Sequence, residues 1–151
     1  MNFRIFELSA IAVILLLLVV SIMVKGDVLY IGLWYYLAVP LTLTGLCALF
    51  RPAPLFLLGV NIAITLSLIS YLSINWFSPR PEGMLGLGHL LSLPGALTGA
   101  LAAAAVARYR HMTGLLALLF SGIAGTGGGF LVAQLVVCNT IFYCGRASWF
   151  L

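Results

Sequence analysis

The side chains able to act as acids, bases, nucleophiles or metal ligands are few: three carboxylates, two histidines and three cysteines in 151 residues. Glu7 is the one acid inside an apolar run, and it lies near the beginning of that run. A deep acid marks an ion or proton path. One or two turns from a helix start, Glu7 is instead expected to reach the interface, pairing with Arg4 or complementing the positive end of its helix. His89 and His111 stand singly in separate predicted loops. No cluster of His, Cys, Asp or Glu has metal-ligand spacing, so neither a metal nor a cofactor is expected. There is no Gly-x-Ser-x-Gly elbow and no paired-carboxylate site. The glycines at 83, 86 and 88 follow no predicted strand and do not match a phosphate-binding fingerprint. Without a base or nucleophile held in a pocket, enzymatic chemistry is not expected.

Cys47 lies within an apolar run, whereas Cys138 and Cys144 approach the end of the chain. A disulfide holds its Cα atoms within about 7 Å, so these two meet only if the chain turns between Asn139 and Tyr143. A Cys138–Cys144 bond in an oxidising compartment and two free thiols are both open readings.

Weaker polar groups sit deeper. Asn61 and Thr65 share a helical face, Gln134 lies in a later apolar run, and Thr42 and Thr44 follow Pro40, a kink-prone position. Such groups commonly glue helices together in a bilayer. The segment Gly125-Thr126-Gly127-Gly128-Gly129 has four glycines in five residues, each weakening a helix by about 1 kcal/mol relative to Ala. Neighbours crowding that backbone would account for the run; a break there would instead bare carbonyls, as discontinuous helices do in transporters. Asn61, Thr65, Gly127 and Gln134 are therefore the candidate solute path.

The elements that must hold these groups follow from composition. The chain is 64% hydrophobic and 7% charged, against about 25% charged residues in a soluble domain. Its apolar residues come in runs long enough to span a bilayer. Five helices are predicted at about 5–24, 28–50, 55–77, 84–107 and 113–137, with a short tail over 138–151. Charges and prolines punctuate them, since charge is costly in hydrocarbon and Pro favours helix starts and stops. Whether 83–89 is helical or re-entrant stays open. The first run is longer than a signal h-region and lacks a small-x-small site before Lys25, so it is read as a retained helix. The predicted fold is an all-α integral membrane protein, one compact bundle of about five transmembrane helices.

Gly95, Gly99, Ala103 and Ala107 recur every four residues in the fourth run. Ala117, Ser121, Gly125, Gly129 and Ala133 do so in the fifth. Lipid supplies no hydrophobic drive for helices to associate, so close backbone contact along such stripes becomes the main attraction. The short connection between the two runs predicts an antiparallel hairpin with the stripes facing.

Five spans put Arg4, Arg51, Arg108 and Arg110 on one side, and Lys25, Arg80 and Arg146 on the other. This bias favours an inside N-terminus and an outside C-terminus, with a bacterial inner membrane the expected location. The net charge of +4 is spread singly over helix ends, so no nucleic-acid partner is expected. Tyr30, Trp34, Tyr35, Tyr71, Trp76 and Trp149 gather toward the second side. They are either interfacial anchors or a partner or ligand face. The expected function is non-enzymatic: interaction in the bilayer with another membrane protein or a second copy. An accessory subunit, or an immunity protein against a pore-forming toxin, has this size and architecture. A small oligomeric transporter or channel is the alternative.

Overall fold

In a computed structural model, which describes residues 3–27, 29, 31–77 and 85–140, the chain is five α-helices. They are α1 (Phe3–Lys25), α2 (Leu33–Leu49), α3 (Phe56–Phe77), α4 (Leu85–Tyr109) and α5 (Leu115–Thr140). Four are long and apolar enough to cross a membrane; α2, with 17 residues, is the shorter apolar helix. At 1.5 Å per residue α2 reaches about 25 Å, near the lower limit for a span. The protein is an all-helical, multi-pass membrane protein.

The predicted second run began at 28, but the helix starts at Leu33. Asp27 accounts for the difference. Its carboxylate accepts the backbone N–H of Leu29 (3.2 Å) and Gly32 (2.7 Å) and the Tyr36 hydroxyl (2.5 Å). This draws Leu29 and Gly32 onto Asp27 before the helix begins. Pro40 and Pro94 both lie within helices, α2 and α4, rather than at their ends. Helix α4 is already formed at Leu85, so Gly86 to His89 are helical and not re-entrant; Gly83 lies outside the described residues.

Helix α3 is the centre of the bundle and packs against each of the other four. Its buried side includes Phe56, Val60, Ile64, Leu68 and Leu72, while α1 turns Leu16, Leu17, Met23 and Val24 outward. In a soluble protein that outer surface would be an aggregation hazard; in lipid it is the solvated face.

The tightest packing is between α4 and α5, and the two small-residue stripes lie in it. A Cβ added at Gly99 would fall on the Gly125 carbonyl and 2.9 Å from the Gly129 Cα. One added at Gly95 or Gly125 would strike the Ala133 or Ala103 methyl, respectively. Ser121 is partly buried lower on the same helix. Helix α5 uses its opposite face on α3: Gly122 lies against Phe56 and Val60, and Gly59 against Leu119 and Ile123. No break occurs at the glycine run. Helix α5 is continuous through Gly125–Gly129 because every backbone group left unpaired in hydrocarbon costs several kcal/mol, more than the propensity cost of the glycines.

Candidate functional site

His89 is a titratable group in the interior of the bundle. It lies one turn into α4, not in a loop, and is fully buried. The residues around it come from three other helices, α2, α3 and α5. Ser67 of α3 donates its hydroxyl to the Ile64 carbonyl at 2.7 Å, which leaves its oxygen free to accept. The Nε2–H of His89 then donates to Ser67 Oγ at 3.0 Å, and Nδ1 accepts the Tyr35 hydroxyl at 2.8 Å. One donor and one acceptor are thereby matched, which is the requirement of a neutral imidazole. The ring is walled by Tyr71 of α3 and Phe130 of α5, each with its centroid 5.1 Å away. Nearby, Ser92 donates to Gln134 Oε1 (2.5 Å), and the Gln134 amide reaches Cys138 Sγ (3.2 Å).

Two lateral openings flank this cluster. A trough of about 440 Å³ between α2 and α4 is lined by Trp34, Tyr35, Ala38, Thr42, Leu93 and Leu97, among others. A cleft of about 340 Å³ between α3 and α5 is lined in part by Ser67, Tyr71, Thr126, Gly127, Phe130 and Gln134. Tyr35 and Ser67, the two hydrogen-bond partners of His89, thus face different openings with the imidazole between them.

The other acids are equally committed. Glu7 is fully buried against its neighbours, and the Arg4 pairing expected for it is present. It pairs with Arg4 at 3.0 Å, and its second oxygen accepts the Leu58 N–H at 3.2 Å. That amide is one of the unsatisfied donors of the first turn of α3, so α1 supplies the cap that α3 lacks. Arg4 also donates to the Pro52 carbonyl, locking the α2–α3 connection to α1.

Comparison with protein-family models, with curated proteins and with solved structures finds no match for this chain. The site is therefore read from its own geometry.

The aromatic residues do not form one outward face. Tyr35 and Tyr71 are buried against His89, and Trp76 donates to the Gly26 carbonyl (3.2 Å) beneath the Lys25 ammonium. Trp34 alone of the described candidates is exposed, at 67%; Tyr30 and Trp149 lie outside the described residues. The solute-path candidates are also divided. Gly127 and Gln134 line the α3/α5 cleft. Asn61 instead donates to Thr44 of α2 at 3.0 Å, and neither it nor Thr65 lines the cleft. Cys47 is free and buried, whereas Cys138 is in a disulfide; Cys144 lies outside the described residues. Among the described residues no group of three metal-ligating side chains comes together. Sequence reasoning missed Ser67, Tyr71 as a histidine neighbour, and Ser92. The available signal was the i, i+4 spacing of Ser67 and Tyr71, which sets both on one face of α3.

Proposed function

We propose that this is a non-enzymatic membrane protein that acts by binding a transmembrane helix of another protein in the α2/α4 trough. The observation that carries this reading is the occupation of both nitrogens of His89. With Glu7 and Asp27 likewise engaged, these interior groups work as structural ties, and the roomier of the two lateral openings is the trough. Its shape suits a helix. Trp34, Ala38, Thr42 and Leu46 recur every four residues along one wall, and Leu90, Leu93, Pro94 and Leu97 share one face of the other. The twelve steps from Trp34 to Leu46 give about 18 Å of wall. Ala38 and Thr42 keep its middle shallow, so a partner backbone approaches closely, as small residues allow between helices in lipid.

An accessory subunit of a membrane complex fits this reading, as does an immunity protein that seizes a pore-forming toxin. We place it in a bacterial inner membrane with the N-terminus inside. The support is that Arg4, Arg51, Arg108 and Arg110 gather at one end of the bundle, opposite Lys25. Of the four buried polar atoms without a hydrogen-bond partner among the described residues, Asn61 Oδ1, Thr65 Oγ1 and Thr126 Oγ1 speak for the alternative of a water-bearing solute path.

The test is purification from native membranes into nanodiscs, comparing wild type with Ala38→Trp, which fills the trough. A stoichiometric partner should accompany wild type and be lost from the variant, with the fold unchanged. Partner-free wild type that sustains solute flux in liposomes would replace this reading with the solute path.

A further inference from the structure

Helix ends at the arginine-rich face are built in a way that structure alone does not require. A helix commonly closes with a residue of positive φ at the position after its cap, and glycine is the usual occupant because other residues are strained there. Helix α1 follows this rule with Gly26 at φ 90°. Helices α2 and α4 do not: they close on Arg51 (φ 47°) and His111 (φ 49°). Both closures are otherwise regular. The Arg51 N–H bonds the Ala48 carbonyl at 2.9 Å, and the following Pro52 has no N–H to offer. His111 and Met112 bond Arg108 and Ala107 at 3.1 and 3.0 Å, the double pattern of a Schellman end. At each end a cationic or titratable side chain stands where glycine would be less strained.

The two ends meet. Arg51, Arg108 and His111 line one pocket of about 290 Å³ between the α2–α3 and α4–α5 connections, floored by Ala104, Ala107 and Leu118. A cation at each helix C-terminus complements its dipole, but that does not bring three such groups to one cavity. Neither arginine has an ion pair among the described residues, where the one salt bridge is Arg4–Glu7. The other described acid, Asp27, follows the far end of α1. Backbone strain retained at a converging set of side chains is a mark of a binding site. A cationic rim over an apolar floor, at the end of a membrane bundle, matches a phosphate that carries acyl chains.

We propose that this pocket binds the headgroup phosphate of an anionic glycerophospholipid. The experiment is native mass spectrometry of the delipidated full chain in detergent, titrated with phosphatidylglycerol and, separately, with phosphatidylcholine. One phosphatidylglycerol should be retained in preference to phosphatidylcholine. Arg51→Gln with Arg108→Gln should weaken it at least about tenfold, since each basic group near a membrane surface contributes on the order of 1 kcal/mol. Arg110→Gln, which removes one arginine charge from the same face but lies outside the pocket lining, should leave it unchanged. His111→Gly should raise thermal stability by releasing the strained φ while lowering lipid retention, a split that a purely structural His111 would not show. Equal retention of both lipids by wild type would overturn the proposal, and this reading needs no variant. So would an Arg110→Gln loss as large as the double variant's. Displacement of the lipid by millimolar inorganic phosphate would assign the site to a free anion and overturn the lipid source.

Discussion

The Tyr35 hydroxyl is the most direct probe of the buried network. Tyr35→Phe strands His89 Nδ1 with no donor, at a cost of about 1–3 kcal/mol. His89→Phe removes the stranded acceptor together with its partner's need. The double variant should therefore be less destabilised than the sum of the singles, with a coupling of about 1–2 kcal/mol in unfolding measurements in bicelles. Additive losses would show that the 2.8 Å contact carries no net energy. His89 and Glu7 also mark where sequence reading stops at this scale. Both sit within a turn or two of a helix start, so depth along their own helix suggested an interface or a loop. What buries them comes from other helices: Tyr35 and Ser67 around His89, and the Leu58 amide at Glu7. Such long-range partners leave no trace in local spacing. Asp27 was legible as a break, but not as the ligand of three separate groups.

Between elements, the glycines of α5 divide into two kinds that substitution should separate. Gly125→Leu drives a side chain into Ala103 and the Gly99 backbone. It should destabilise by about 3 kcal/mol or more, since overpacking of this kind moves backbone. Gly127 and Gly128 have nothing within 4 Å of an added Cβ. Gly127→Ala should instead stabilise by about 0.5–1 kcal/mol through helix propensity. Unfolding of the two variants under the same conditions checks both signs; equal effects would contradict the facing of the stripes. Repetition every four residues made the α4/α5 stripes readable, because that spacing defines a helical face. The α3/α5 contact was not readable. Its closest approach is at Gly59 and Gly122, which belong to no four-residue repeat that would announce it. The glycine run leaves α5 continuous for a physical reason: propensities measured in water lose to the demand for paired backbone groups in lipid.

At the scale of the whole molecule, the number of helices and their alternation follow from run length and punctuation. Their neighbours do not. Successive helices joined by short connections had to be antiparallel, but nothing in the order of runs says that α3 takes the centre and lies beside α5. Nor does it say that the short α2 leaves an open trough against α4. That trough is the basis of the proposed function, and a photo-crosslinking residue placed in turn at Thr42 and at Leu16 tests it most directly. Thr42 lines the trough, while Leu16 is 62% exposed on the outer face of α1. In native membranes, we predict a single discrete protein adduct from Thr42, absent from Leu16 and abolished when Ala38→Trp fills the trough. Adducts of lipid alone at Thr42, or the same protein adduct from both positions, would contradict a helix-binding trough.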